Sequence, residues 1–252
     1  MISKITKEFT ILFLLIIFTC SGCSQSQTEQ LLKQGNEEAN KGNYDKAIEL
    51  YSQAIKINPE YADAFHNRAE AYQKKGDYKS SLPDLSKAIE LRPKSADSLG
   101  DRCGAYSKLD ELDKAIADCS KAIEIDPKLD ALYYNRGLAY GKKGNHEQAI
   151  NDFSQSIILK PNDLASLTAR GTAYRLKGER DNTIADIKGA ITDFTEVIKI
   201  DPKNTDAYLY RGKSNLDINE KDKSIADFRK VLEIDPNNKI AKEALFTYFG
   251  IK

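Results

Sequence analysis

Apolar residues recur along this chain at helical spacing, in a pattern that restarts about every 34 residues. In the stretch 130–163, Ile150, Phe153 and Ile157 follow one another at intervals of three and four. These intervals place side chains on one face of an α-helix. Tyr133 and Tyr140, seven residues apart, indicate another helix in the first half of the stretch. The Gly-Asn pair at 144–145 predicts the turn between the two helices.

Prolines mark the period of the pattern. The gaps between six of them are 34, 34, 34, 41 and 34 residues: Pro59, Pro93, Pro127, Pro161, Pro202, Pro236. Numbering each unit from 1 to 34 with proline at position 32 predicts these repeats: 28–61, 62–95, 96–129, 130–163, 164–204 with a seven-residue insertion, and 205–238. One helix pair cannot bury both of its apolar faces alone, so neighbouring repeats must stack.

The repeated unit resembles the tetratricopeptide repeat (TPR) family, whose repeats are helix-turn-helix units of 34 residues. The resemblance covers residues 28–238 and implies an all-α fold, a right-handed superhelical solenoid of six such repeats. Residues 239–252 are predicted to form a capping helix that covers the last repeat, with Ile240, Ala244 and Leu245 facing inward.

Arginine at position 7 and aspartate at position 23 occur together in repeats two to six. The predicted pairs are Arg68 with Asp84, Arg102 with Asp118, Arg136 with Asp152, Arg170 with Asp193, and Arg211 with Asp227. In repeat one both positions differ, with Gln34 and Leu50. This joint change favours ion pairs that hold helix one to helix two of each repeat; the alternatives are an arginine ladder for an anionic ligand and a chance co-occurrence.

The insertion in repeat five is a near-duplication, because residues 183–189 resemble residues 190–196. Seven residues are close to two helical turns, so we expect the second helix of this repeat to be longer by about two turns. The added turns form either a tolerated protrusion or a contact for a partner or a second copy, with Ile184 and Ile187 as the candidate residues.

Residues 1–22 are predicted to be a signal peptide of the bacterial lipoprotein type. Two lysines precede an apolar run of eight residues, which is too short to span a bilayer. By resemblance, cleavage after Gly22 leaves Cys23 as the lipidated residue, with diacylglyceryl and fatty acyl chains such as palmitate, and 23–27 as a short tether. The alternatives are a plain secretory signal and a retained membrane anchor. We therefore expect an exported protein, anchored to a membrane that faces the periplasm or the cell exterior. Ser24 favours the outer membrane if the cell is Gram-negative.

Positions 8 and 24 are typically a glycine and a large apolar residue, but in repeat three they are Cys103 and Cys119. In an exported protein this joint replacement predicts a disulfide; two buried thiols are the alternative.

Charge and composition count against several classes of function. The chain has 38 basic and 38 acidic residues, whereas nucleic-acid binders usually show a basic excess. It has two histidines and none of the common catalytic or phosphate-binding motifs. We therefore expect no enzyme activity, cofactor, metal, nucleic acid or small-molecule substrate.

The resemblance places partner-binding residues on one face of the first helix of each repeat. These residues are Asn67, Tyr134, Asn135, Leu138, Leu209, Tyr210 and Lys213, and the tyrosines and leucines among them predict an exposed apolar cluster in the second half of the chain. Ordinary surface residues are the alternative.

The predicted function is a membrane-anchored protein–protein interaction scaffold for assembly of the cell envelope. It binds a partner segment in the concave groove that, by resemblance, the first helices of the repeats line. A self-associating structural lipoprotein, such as a homodimer, is the second hypothesis, and an enzyme is the third.

Overall fold

The computed structural model describes residues 25–251, and the only regular secondary structure in that range is helical. The predicted signal peptide and Cys23 lie outside the described residues. The helices are α1 (25–40), α2 (Tyr44–Ile57), α3 (Ala62–Lys74), α4 (Tyr78–Leu91), α5 (Ala96–Lys108), α6 (Leu112–Ile125), α7 (Asp130–Lys142), α8 (His146–Leu159), α9 (Leu164–Asp181), α10 (Ile184–Ile200), α11 (Thr205–Asp217), α12 (Lys221–Ile234) and α13 (Lys239–Phe249). Residues 25–27, predicted as tether, are already helical.

The described chain divides into two compact units. Unit 1 ends at Asp110 and contains α1 to α5, in which α2 packs on α3, α3 on α4, and α4 on α5. Unit 2 begins at Glu111 and contains α6 to α13, each packed on the next in sequence. Within unit 2, α9 also contacts α7 and α11, so first helices of successive repeats lie side by side. This is the all-helical repeat fold that the sequence predicts. None of the helices in residues 25–251 is both long enough and apolar enough to cross a bilayer.

The two helices of a repeat approach closely because a ring at position 24 packs on a glycine at position 8. A Cβ atom on Gly137 would lie 2.7 Å from the Phe153 ring, and one on Gly212 would lie 3.0 Å from Phe228. Such distances exclude any larger side chain without a shift of the ring. The small residue therefore sets the distance between the helices in these repeats.

The turn between the helices of a repeat requires a left-handed residue at position 15. Gly76 and Gly144 have φ values of 81° and 78°, whereas Asn219 adopts φ 62° in the last repeat. Glycine has no Cβ to clash in this region, and Asn and Asp tolerate it better than other residues. The same backbone turn is therefore made with different residues.

Repeat five differs from the prediction. The helix α9 has 18 residues and α10 has 17, against 13 and 14 in repeat four, so the insertion lengthens both helices rather than the second alone. Gly178, which aligns with the turn glycines, is helical here and packs against Ile187. The left-handed turn has moved to Asn182, with φ 52°.

The capping helix α13 packs on α12 as predicted, but Ile240 does not face inward. Ala241, Ala244 and Leu245 join Phe228 and Val231 in one apolar cluster. Ile240 is instead exposed. The helix begins after Asn238, whose side chain accepts a hydrogen bond from the Ala241 amide.

Candidate partner-binding surfaces

Four of the predicted ion pairs lie within single units, and each has two parallel hydrogen bonds. Arg136 donates to Asp152 through Nε and Nη2, both at 2.8 Å. The pairs of Arg68, Arg170 and Arg211 have the same form, at 2.6 to 3.1 Å. Paired geometry of this kind is the strongest that guanidinium and carboxylate form.

The arginine at position 7 also binds the preceding repeat, through a residue that the sequence analysis missed. Nη1 of Arg136 donates to the Ser120 hydroxyl at 2.9 Å, and Nη1 of Arg102 donates to Ser86 at 3.1 Å. The hydroxyls all stand at position 25, one repeat before their arginine: Ser52, Ser86, Ser120, Ser154, Thr195. Their regular recurrence was the available signal.

The arginines are therefore engaged within the repeats rather than free for a ligand. The paired aspartates are buried, and the hydrogen bond to Asp84 raises the pKa of Arg68 above its ordinary range. An aromatic ring at position 4 adds a cation–π contact, with Arg211 lying 5.5 Å from the Tyr208 ring centroid. These contacts favour the structural interpretation over an anion-binding ladder.

Two predicted contacts involve residues of both units and stay predictions. Arg102 and Cys103 belong to unit 1, whereas Asp118 and Cys119 belong to unit 2. Both cysteines are fully buried. Mass spectrometry with and without a reductant tests the disulfide.

Unit 1 contains an open polar pocket of about 500 Å³, between α1, α2 and α3. At its centre the Asn36 side-chain oxygen accepts two hydrogen bonds at 2.8 Å, from the Tyr51 hydroxyl and from Nδ2 of Asn67. Burial, followed by the charge of Glu70, raises the pKa of Tyr51 to about 12, so its hydroxyl stays a donor. Further lining residues are Ala39, Asn40, Tyr44, Ala71 and Lys74. We call this the unit 1 pocket.

A second polar cluster of unit 1 surrounds His66. Its Nδ1 lies 3.0 Å from the Ser98 hydroxyl, and its Nε2 lies 3.6 Å from the Asp101 carboxylate. A histidine placed between a serine and an aspartate is also the arrangement of a hydrolytic triad. However, Ser98 is only 3% exposed and accepts a further hydrogen bond from Ser95. A nucleophile must reach its substrate, so this hydroxyl is not placed to attack one.

Of the four residues in the predicted apolar cluster of unit 2, Leu209 is buried and the other three are half-buried against apolar neighbours. Leu209 is 5% exposed and belongs to an apolar cluster that includes Ala241, Ala244 and Leu245 of α13, so its prediction as an exposed residue is wrong. Tyr210 stacks on Phe194 with ring centroids 5.5 Å apart, and Tyr134 packs on Phe153 at 5.9 Å. Leu138 belongs to the same apolar cluster as that second phenylalanine.

The polar members of the predicted set are half-buried: Asn67, Asn135 and Lys213. Of these, the structure brings Asn67 into the unit 1 pocket.

The insertion leaves one of its two candidate contact residues exposed. Ile184 is 58% exposed, whereas Ile187 is buried against Gly178. Of the two residues predicted to form an apolar contact surface at the insertion, only Ile184 is therefore accessible to a partner. No group of His, Cys, Asp and Glu within residues 25–251 has an arrangement suited to a metal ion.

Models of one repeat family match more than half of this chain. A model described as "TPR repeat" matches residues 35–76 and 105–144. Two models described as "Tetratricopeptide repeat" match residues 62–95 with 131–163, and residues 205–238.

Curated proteins match short segments only. The small glutamine-rich tetratricopeptide repeat-containing protein alpha of Rattus norvegicus is 43% identical over 49 residues, which are 19% of this chain and 16% of that protein. An uncharacterized protein of Methanocaldococcus jannaschii is 44% identical over 45 residues, 18% of this chain and 52% of that protein. The chain thus spans about one sixth and about half of these two relatives.

Solved structures match over most of the chain. YrrB, a TPR protein with an unusual peptide-binding site, is 21% identical with a TM-score of 0.66, covering 77% of this chain and 96% of that one. PilW, a widely conserved type IV pilus biogenesis factor, is 16% identical with a TM-score of 0.73, covering 86% and 98%. Identities this low establish a shared fold and no more.

Proposed function

We propose that this chain, which belongs to the tetratricopeptide repeat family, is a membrane-anchored scaffold. It binds an extended segment of a partner protein in the unit 1 pocket. The pair Asn36 and Asn67 is the observation that carries this proposal. It lies in a polar, open pocket and keeps hydrogen-bonding groups for a ligand, which suits a peptide backbone better than an apolar molecule.

The amide pair is arranged to bind a backbone. Asn67 donates through Nδ2 to Asn36, so the Asn36 amide nitrogen and the Asn67 oxygen are left as a donor and an acceptor on α1 and α3. An extended chain offers alternating carbonyl and N–H groups that match such a pair. Glu70 and Lys74 on α3 add one charge of each sign at the same pocket.

Functions of this class exist in proteins of the same fold. YrrB is described by its peptide-binding site and PilW by its part in pilus biogenesis. YrrB supports a peptide-binding role for this chain, and PilW supports a role in the cell envelope.

Site-specific photocrosslinking in the source cells tests the pocket. Benzoylphenylalanine in place of Lys74 should crosslink a partner, because this exposed residue lines the pocket. The same group in place of Lys56, an exposed lysine of α2 that does not line the pocket, is the matched control and should not. Replacing Asn36 and Asn67 together by Ala should abolish the crosslink from position 74. Equal crosslinking from both positions contradicts the proposal.

The anchor and the envelope location need a separate test, since Cys23 lies outside the described residues. We expect the protein in the membrane fraction, with a mass increase from acyl chains at Cys23. The Cys23→Ser variant should become soluble in the exported fraction. A soluble wild-type protein of unmodified mass contradicts the anchor. Self-association remains the second hypothesis, and a concentration-dependent mass in solution would favour it.

A further inference from the structure

Repeat six lacks a tyrosine that repeats two to five share. Position 11 is Tyr72, Tyr106, Tyr140 and Tyr174 in those repeats, and all four side chains are half-buried. In repeat six the same position is Asn215. A phenol ring is thus replaced by a much smaller amide.

The tyrosine ring has a defined place in the other repeats. In repeat five, a Cβ atom on Gly189 would lie 3.2 Å from the Tyr174 ring, so this ring covers position 19 of the second helix. After the hydrogen bond to the paired aspartate, the tyrosine is among the groups that raise the pKa of Arg136 and of Arg170.

The corresponding space in repeat six is an open pocket of about 430 Å³, which we call the repeat six pocket. It is lined by residues at the positions that surround the tyrosine elsewhere, including Arg211 at position 7 and Lys223 at position 19. Ile191, Ile218 and Ala226 supply apolar surface.

The polar atoms at the base of this pocket are engaged with one another. Asn215 donates to the Asp227 carboxylate at 3.1 Å, and Arg211 donates to both oxygens of the same carboxylate. An apolar ring can therefore enter without breaking these hydrogen bonds. The pocket is open to a ring supplied from outside.

We propose that the repeat six pocket binds a tyrosine side chain of a partner polypeptide, in the place that the chain's own tyrosines occupy in repeats two to five. The rim favours an acidic residue beside that tyrosine. Lys188 and Lys223 lie there with one carboxylate, Glu220, which pairs with Lys223 at 3.2 Å. The site goes beyond the unit 1 pocket, and either can fail without the other.

Binding of the peptide acetyl-Asp-Tyr-Asp-amide to the full chain, followed by NMR of the isotope-labelled protein, tests the proposal. We expect concentration-dependent shifts of the Asn215 and Ala226 signals. The peptide with alanine in place of tyrosine should bind at least about tenfold more weakly, because the ring supplies most of the buried area. Equal binding of the two peptides, or no shifts with either, overturns the proposal.

Two variants of the protein separate filling of the pocket from other effects. Asn215→Tyr places the chain's own ring in the pocket and should abolish the shifts. Asn237→Tyr adds the same side chain at an exposed loop position and should leave them unchanged. Full binding by folded Asn215→Tyr overturns the proposal.

A third variant moves the site to another repeat. Tyr140→Asn should open an equivalent pocket in repeat four and produce a second set of shifts near residue 140. A folded Tyr140→Asn protein that shows no second set of shifts counts against the proposal. The comparison of Asn215→Tyr with Asn237→Tyr decides the question even if Tyr140→Asn does not fold.

Discussion

Gly178 and Ile187 are in direct contact across the lengthened helix pair of repeat five, since a Cβ atom on Gly178 would lie 2.6 Å from Cγ1 of Ile187. The same Cβ would lie 3.0 Å from the Thr183 carbonyl oxygen, which is backbone and cannot move independently. A glycine that aligns with turn residues thus serves as a helix–helix contact.

Gly178→Ala should lower the free energy of unfolding by about 1–3 kcal/mol, because the added methyl overpacks this contact. Gly141→Ala is the matched control in the helix α7. Its Cβ would meet its nearest neighbour at 3.9 Å, an ordinary contact, and alanine gains about 0.5–1 kcal/mol over glycine within a helix. Urea unfolding of both variants measures the difference. Equal midpoints would show that the contact imposes no constraint.

Arg136→Ala should lower the free energy of unfolding by about 3–5 kcal/mol, because the buried Asp152 carboxylate loses both of its hydrogen bonds to that arginine. Arg229→Ala, at an exposed residue of α12, should change it by less than about 0.5 kcal/mol. Thermal unfolding followed by circular dichroism compares them. Similar melting temperatures for the two variants would refute a structural role for the pair.

Ser120→Ala should cost about 1 kcal/mol, a smaller loss than Arg136→Ala, because it removes one hydrogen bond between repeats and leaves the ion pair intact. The same substitution at Ser26, an exposed serine of α1, is the control and should change the free energy of unfolding by less than about 0.5 kcal/mol. Urea unfolding compares the two variants. A Ser120→Ala variant as stable as Ser26→Ala would mean that the hydroxyl adds nothing to repeat stacking.

Gly144→Ala should destabilise the protein by about 1–2 kcal/mol, because φ at this turn is 78° and alanine is strained there. Gly144→Asn should cost less, since Asn219 adopts the same conformation in repeat six. Urea midpoints rank the wild type and the two variants. A Gly144→Asn variant less stable than Gly144→Ala would contradict this explanation.

Asp101 should make the stability of the protein depend on pH. Burial raises its pKa from 3.8 to about 6. The attraction of His66 opposes this rise, as does the charge of Lys74, whereas the negative charges of Glu70 and Asp97 add to it. Because the folded-state pKa is the higher one, the folded protein binds the proton more tightly, and this residue favours folding more as pH falls from about 7 to about 4.

Asp101→Asn should therefore be more stable than the wild type at pH 7–8, with a difference that shrinks as pH falls through about 6. The side chain is 37% exposed, so water reduces the effect. Melting temperatures of both proteins between pH 5 and pH 8 measure it. A difference that is constant over this range would contradict a raised pKa.

The sequence by itself determined the repeat fold and the partners at positions 7 and 23. Both depend on local spacing, because helical periodicity, turn residues and the joint change at Gln34 and Leu50 can be recognised within a repeat. The hydroxyls at position 25 were equally visible in the sequence. They were missed because their arginine belongs to the next repeat.

The tertiary structure decided which residues are accessible. Leu209 is buried in an apolar cluster to which α11, α12 and α13 contribute, and Gly178 is helical because the insertion was divided between two helices. The change from tyrosine to Asn215 is plain in the sequence, but the pocket exists because α10, α11 and α12 keep their positions around the missing ring. Exposure and cavities depend on the packing of several helices at once. The spacing of residues within one helix does not specify that packing.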